Sequence, residues 1–350
     1  MSTFNKEDIL TKLGGQSRFC WQAPSNIAFV KYWGKVDFQL PTNASVSMTL
    51  KNCHTTCELS VSVNSKQDVT LLFEGQKDTK FEAKLVKHIE RVSSDYPILK
   101  EFSYRFMTSN TFPHSAGIAS SASSMAAINL CMTELLLKLG QLSEDQFFTV
   151  ASRLARMGSG SASRSLFGQY VDWGKTTKEY GTQVKDIHPD FQKVGDAVLI
   201  VDSSEKEVSS SQGHKLMMEH PYKDFRFQQA DAKCNEMISI LQSGDWDKFI
   251  PLLESEALEL HGLMMSGREW FVLMKPNTLM IIDKLKKWRK ESGVRIGFTL
   301  DAGPNVHLIY HMDDKQKVHE FIAKDLLGYL ENQRWIDDEI GNGPLRGEIK

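Results

Sequence analysis

"NTFPHSAGIASSASSMAAINL", residues 110–130, decides how this chain is read. A polar strand end runs through Pro113 and Gly117 into Ala119-Ser120-Ser121-Ala122, and an apolar helix of small residues follows. A helix start carries unpaired amides and roughly half a positive charge, which suits a phosphate. Gly117 allows the backbone to approach a ligand closely, and Ser120 and Ser121 offer hydroxyls to phosphate or magnesium. A serine-rich helix start is also an ordinary N-cap, and taken alone the stretch reads more readily as that.

Working outward, the strand "SYRFMTSN" precedes this stretch and the helix runs on through Leu139. Upstream, "CELSVSVN" and "DVTLLFEG" alternate apolar and polar residues, which predicts two antiparallel strands around an "SKQD" turn. Phe81, Leu85, Ile89 and Val92 have helical spacing, in a segment that ends before Pro97. "SEDQFFTVASRLARMG" opens a further helix with Ser143 as N-cap. "GQYVDWG" and "DAVLIVDS" read as strands joined by a long polar connection, and a boundary near its end divides 1–193 from 194–350. The second part alternates helices, around 224–243, 245–262 and 276–292, with strands "RIGFTL" and "NVHLIYHM". Helices on antiparallel sheet in both parts predict a two-domain α+β architecture.

Composition bounds the partners. The 350 residues are 41% hydrophobic and 25% charged, with a net charge of −2, so no global field recruits nucleic acid or an anionic membrane. An anionic ligand must be held by local basic groups and amides. The start, "MSTFNKEDILTKLGG", lacks the basic-then-apolar order of a signal peptide, and no apolar run reaches membrane-span length. A cytoplasmic protein is expected. The cysteines are Cys20, Cys53, Cys57, Cys131 and Cys234, an odd number that fits reduced thiols. "CHTTC" lacks a second pair at zinc spacing, so Cys53 and Cys57 read as two thiols in a strand.

Three other stretches carry chemistry. "APSNIAFVKYWGKVD", residues 23–37, ends an apolar strand in Lys31, Tyr32 and Lys35, a cluster that also suits a solvated sheet edge. In "RMGSGSASRSLFGQYVDWG", Gly158 and Gly160 permit a tight turn, and Ser159 and Ser161 supply hydroxyls. Arg164 follows and can grip a carboxylate or phosphate with two parallel bonds. In "FTLDAGPNVHLI", Asp301 ends a strand before Gly303 and Pro304, a place for a turn former or for a carboxylate facing a cleft.

Together these stretches resemble a known family. "PHSAGIASSAS" is not a Walker loop but is similar to the phosphate-binding motif of the GHMP small-molecule kinases, with Ile118 in place of Leu. "NIAFVKYWGK", "FPHSAGIASSAS", "GSGSASRSLFG" and "DAGPN", in that order, resemble the mevalonate diphosphate decarboxylases, from about Cys20 to about Arg346. "SSEKEVSSSQGH" resembles that family's Ser-Ser loop, and "IGNGPLR" its closing motif.

The resemblance implies a GHMP kinase fold, with a ribosomal-protein-like N-terminal domain and a ferredoxin-like C-terminal domain. It implies conversion of mevalonate 5-diphosphate and ATP to isopentenyl diphosphate, ADP, phosphate and CO2, with magnesium and no organic cofactor. Asn110, Gly117, Ala119, Ser120 and Ser121 are then expected to hold ATP, with Ser121 also on the metal. Tyr32, Lys35, Ser159, Gly160, Ser161 and Ser210 are expected around the substrate diphosphate, Arg164 at the substrate carboxylate, Asp301 at the 3-hydroxyl, and Lys31 near Asp301 and the transferring phosphoryl group, whose charge it offsets. A homodimer is implied as well.

The chain departs from the family in His214, where Met is usual, in Ser211, where Arg or Thr is found, and in residues 257–280. That points to a divergent bacterial branch. The departures leave open a monophosphate substrate; a kinase that stops at the 3-phosphate is a separate rival, against which Lys31 and Asp301 speak. An inactive ATP- or diphosphate-binding sensor is the rival of another class. The apolar "LMM" and "WFVLM" clusters are read as core or subunit interface, and His261 as a structural histidine.

Overall fold

A computed structural model describes residues 4–348 apart from 65, 67, 114–117, 205–207 and 209. Helix α1 (Lys6–Leu13) leads into strands β1 (Arg18–Val30), β2 (Ser45–Val63), β3 (Val69–Phe73) and β4 (Gln76–Lys77). Helix α2 (Thr79–Val92) and strand β5 (Phe102–Asn110) follow, then α3 (Ser120–Lys138) and α4 (Phe147–Gly158), then β6 (Tyr170–Trp173) and β7 (Thr182–Gln183). The second part holds β8 (Val194–Leu199), α5 (Ser210–Met218), α6 (Lys223–Ser243), α7 (Trp246–Ser266) and α8 (Pro276–Ser292). It ends with β9 (Ile296–Leu300), β10 (Val306–His311), α9 (Lys315–Phe321), β11 (Trp335–Glu339) and β12 (Leu345–Arg346).

Two sheets organise these elements. The first runs β12-β1-β2-β5-β3-β4, with β6 on β2 and β7 on β6; the second runs β11-β8-β10-β9. One expectation is corrected here. β3 does not form a hairpin with β2: β5 lies between them, antiparallel to β2 and parallel to β3. Helix α2 supplies the crossover that a parallel pair requires. Ser143 precedes a short 3-10 turn that leads into α4, and its N–H donates to the Gln146 side chain at 3.1 Å.

The elements stack as helix, sheet, helix, sheet, helix. Cys57, Leu59 and Phe106 of the first sheet pack on α2, α3 and α4 through Leu85, Ile128 and Leu154. The other side, including Phe29, Val46 and Met48, packs on α6 and α7 through Met237 and Phe249, which also meet Val198 and Ile309 of the second sheet. Leu199, Phe298 and Leu308 on the far side of the second sheet meet Ile281 of α8 and Phe321 of α9. Each such buried side chain contributes about 1.5–3 kcal/mol. Helices α6 and α7 thus form a middle layer between the two sheets, and the polar Arg226, Glu256 and His261 are buried within it.

The chain passes between the sheets twice. It crosses from β7 to β8, and returns after β11 so that β12 pairs with β1 at Trp21 and Gln22. Asp338 fastens the second crossing: its carboxylate accepts the N–H groups of Lys51, Asn52 and Cys53 at 2.8–2.9 Å. All five cysteines are buried and free, with Cys53 and Cys57 in β2, so the reading of thiols in a strand holds. No helix among the described residues is long and apolar enough to cross a membrane.

Candidate active site

Helix α3 begins behind Ala119, which takes a left-handed conformation at φ 41° and ψ 41°. No side-chain bond caps the helix among the described residues. Among the described residues the serine ladder is therefore not an N-cap; the Ala122 N–H turns back to the Ala119 carbonyl at 2.8 Å, which leaves the amides of Ser120 and Ser121 for a ligand. Ser121 is exposed, and its hydroxyl is 3.4 Å from that of Ser159. The two Ser-Gly stretches, distant in sequence, meet there. Asn110 joins the same helix start indirectly: the Thr55 hydroxyl bonds both Asn110 Oδ1 and the Ser123 hydroxyl at 2.7 Å. The Asn110 amide nitrogen is buried without a partner among the described residues. Gly117 lies outside the described residues, as does the side chain of Ser210, whose backbone opens α5.

The second wall comes from the turn after α4. Gly160 is required to be glycine: a Cβ there would fall 2.7 Å from the Tyr32 hydroxyl and 2.9 Å from the Trp173 ring. Tyr32 stands edge-on to Trp173, with ring centroids 4.7 Å apart, and also packs on His214. Lys35 is half-buried and bonds Gln39 at 2.8 Å. Ser161 accepts through its carbonyl from Asn26 at 3.3 Å.

Arg164 is buried, and its partners are neutral. Nη1 donates to the Ser45 hydroxyl at 2.6 Å, while Nε and Nη2 share Asn26 Oδ1 at 3.3 Å. The guanidinium lies 5.9 Å from the Trp173 ring centroid. Burial lowers its pKa to about 10. A buried cation held by neutral acceptors attracts an anion.

Lys31 and Asp301 come from different sheets and meet, Nζ to Oδ1, at 3.2 Å. Lys31 also donates to the Ala28 carbonyl at 2.5 Å. Burial pulls the Lys31 ammonium below the ordinary lysine range; Asp301 and Glu256 act against that, and Arg164 adds to it. The Asp301 turn is fixed on three sides. His261 bonds the Asp301 carbonyl at 3.1 Å, Asn305 accepts from Val201 and Asp202, and Thr278 donates to Pro304.

His214 caps this region from α5. Its Nδ1 accepts the Gly34 N–H at 2.9 Å, between the rings of Tyr32 and Trp33. Burial, with Lys35 and Arg164 nearby, pushes it down to about 3, so it is neutral at ordinary pH. Of the apolar clusters, Met264 is core and Phe271 and Leu273 pack on it beside Trp33 and Ala302, whereas Met265, Trp270 and Val272 are exposed.

Among the described residues, no group of three or more His, Cys, Asp or Glu can hold a metal ion. A hard divalent cation near Ser121 therefore needs most of its oxygen ligands from a phosphate and from water, the usual manner of magnesium.

Comparison with known proteins completes the picture. Residues 23–184 match the diphosphomevalonate decarboxylase-like N-terminal domain, and 197–340 match the mevalonate 5-diphosphate decarboxylase C-terminal domain. The chain belongs to the diphosphomevalonate decarboxylase family. The diphosphomevalonate decarboxylase of Saccharomyces cerevisiae is 31% identical over 324 residues, which cover 86% of this chain and 80% of that one. The crystal structure of mevalonate diphosphate decarboxylase from Staphylococcus aureus superposes with a TM-score of 0.83 at 26% identity, over 95% of this chain and 98% of that one. A structure of MDDEF in complex with MVAPP, AMPPCP and magnesium has a TM-score of 0.80 at 24% identity, over 95% and 99% of the two chains, and speaks for the fold.

Within this diphosphomevalonate decarboxylase family member, the sequence stretches assign no role to the residues that hold the site together, although Asn26 and Trp173 lie inside them. Asn26 and Ser45, the supports of Arg164, are polar residues inside buried strands. Trp173, the plate behind Tyr32 and Arg164, reads in sequence as an ordinary strand residue. The only signal available was the presence of Ser and Asn in runs otherwise apolar.

Proposed function

We propose that the chain performs the ATP-dependent decarboxylation of mevalonate 5-diphosphate, giving isopentenyl diphosphate, ADP, phosphate and CO2. The observation that carries this reading is the Lys31–Asp301 pair, 3.2 Å apart beside a buried Arg164. The substrate's tertiary 3-hydroxyl is a poor nucleophile. Asp301 orients it and takes its proton as it attacks the γ-phosphate. Lys31 stands behind the carboxylate and favours its ionised form, ready to accept that proton.

The uncapped start of α3, with Ser120 and Ser121, receives the ATP phosphates. Tyr32, Lys35, Ser159, Gly160 and Ser161 line the place for the substrate diphosphate, with Ser210 on the adjoining helix. Bound magnesium, carried by the nucleotide phosphates with Ser121 as its protein ligand, supplies charge neutralisation. Departure of phosphate from C3 develops positive character there, beside Asp301. Loss of CO2 then forms the double bond.

Decarboxylation destroys the carboxylate charge, so an ion pair to Arg164 stabilises the ground state more than the transition state. Its role is alignment: it sets the carboxylate opposite the leaving phosphate. Of the finer readings, a homodimer rests on family resemblance and a cytoplasmic location on composition, and sedimentation of the purified protein tests the first.

The function is tested by following ADP and CO2 together from Mg-ATP and mevalonate 5-diphosphate. Equal release of both, abolished in Asp301→Asn, is expected. ADP without CO2 makes the protein a 3-kinase. Neither product, with mevalonate 5-phosphate also silent, makes it a binding protein.

A further inference from the structure

We infer that helix α7 sets the working separation of Lys31 and Asp301, with Glu256 and His261 as positioning residues. The inference deepens the decarboxylase reading and rests on it.

Lys31 follows β1 in the first sheet, and Asp301 follows β9 in the second. Helix α7 lies between those sheets and touches both residues through their backbones. Glu256 Oε2 accepts the Lys31 N–H at 3.0 Å. His261, five residues and about 7.5 Å further along the helix axis, bonds the Asp301 carbonyl through Nε2 at 3.1 Å.

Glu256 is itself held rigidly. Arg226 of α6 grips both of its oxygens, at 2.7 and 2.8 Å, and Lys233 approaches at 3.3 Å. Arg226 also donates to the Lys31 carbonyl at 3.3 Å, and Asn43 donates to the same oxygen at 3.0 Å. Both backbone groups of Lys31 are thereby fixed. Glu256, His261 and Arg226 are 0%, 1% and 2% exposed.

A buried ion pair is a poor source of stability, because desolvation offsets much of the attraction and apolar replacements often serve as well. This pair has a different use. It converts a helix into a ruler whose two marks are the backbone anchors of a base and its counter-ion. Misplacement of such a pair by an ångström costs on the order of 10²-fold in rate.

The test uses the full chain with Mg-ATP and mevalonate 5-diphosphate. Wild type is measured first, and if it releases neither ADP nor CO2 the functional reading itself has failed. Given an active wild type, His261→Leu is expected to lower kcat by roughly 10- to 100-fold while KM stays within about threefold. His261→Gln, which keeps an N–H near the place of Nε2, is expected to restore most of the loss. Glu256→Leu/Arg226→Met removes both buried charges together, which folds more safely than the loss of one, and with them the acceptor of the Lys31 N–H; it is expected to show the same fall in kcat at unchanged KM. Folding of each variant is checked by its thermal transition. Unchanged kcat in folded His261→Leu and in the double variant overturns the inference. So does a loss in His261→Leu that the glutamine does not recover.

Discussion

Lys31 and Asp301 form an ion pair whose cation is hidden and whose anion is not: their side chains are 3% and 25% exposed. The cleft meets the carboxylate first, with the ammonium behind it. Lys31→Met therefore removes the counter-ion without removing a surface the substrate touches. A fall of roughly 10²–10³-fold in kcat is expected, with KM for mevalonate 5-diphosphate nearly unchanged. Steady-state kinetics decides, and a variant that loses mainly KM contradicts the arrangement.

The same pair sets an alkaline limit. Protonated Lys31 is the working form, and burial pulls its titration below the ordinary lysine value of about 10.4. Activity is thus present at lower pH and lost as pH rises through that lowered value. In Lys31→Arg the group does not titrate in the accessible range, so whatever activity remains is expected to lose this basic limb. A limb that persists unchanged assigns it to another group.

Arg164 acts by the shape of its guanidinium, three of whose nitrogens are engaged by Asn26 and Ser45. Lys keeps the charge but not the planar fork. Arg164→Lys is expected to lower turnover by about tenfold or more while substrate still binds. An unchanged turnover number rejects the alignment role.

Gly160→Ala places a methyl against Tyr32 and Trp173, which brace each other. Neither ring can withdraw without moving the other. KM for mevalonate 5-diphosphate is expected to rise about tenfold, a loss of roughly 1.4 kcal/mol of binding, with KM for ATP less affected. Isothermal titration with each ligand separately makes the distinction.

Acid stability follows from two buried histidines. Burial pushes His88 down to about 4 and His214 down to about 3, both below the unfolded value of about 6.5. Between those limits the unfolded chain binds more protons than the folded one, so the neutral state is stabilising above pH 6.5 and that stability is lost as pH falls. Each histidine contributes a slope of up to about 1.4 kcal/mol per pH unit. The melting temperature is expected to drop from pH 7 to pH 4.5, and His214→Met to drop less steeply.

The elements were largely legible because alternation and helical spacing report which face of a segment is buried. They do not report its neighbour. β3 alternates as the second strand of a hairpin with β2 does, yet its neighbours are β5 and β4, since pairing depends on where α2 carries the chain. The four motif stretches pointed to residues the fold does bring together: Lys31 with Asp301, Ser121 with Ser159, and Tyr32 with Gly160. Their supports were hidden for a physical reason. "LLESEALELHGL" offers Glu254, Glu256 and Glu259 alike, and only Glu256 meets the Lys31 backbone. Charge type alone cannot say which of three helical carboxylates faces inward when its partners lie in distant segments.

The return of the tail to β1 has a mechanical meaning. Two bodies joined by one polypeptide segment can swing and twist about it. Here the sheets are joined at two places, between β7 and β8 and again between β11 and β12, and the second is pegged to β2 by Asp338. A body held at two points keeps a single easy rotation, about the line through them. The Lys31–Asp301 contact adds a third tie between the same two bodies, away from both strand crossings in the chain.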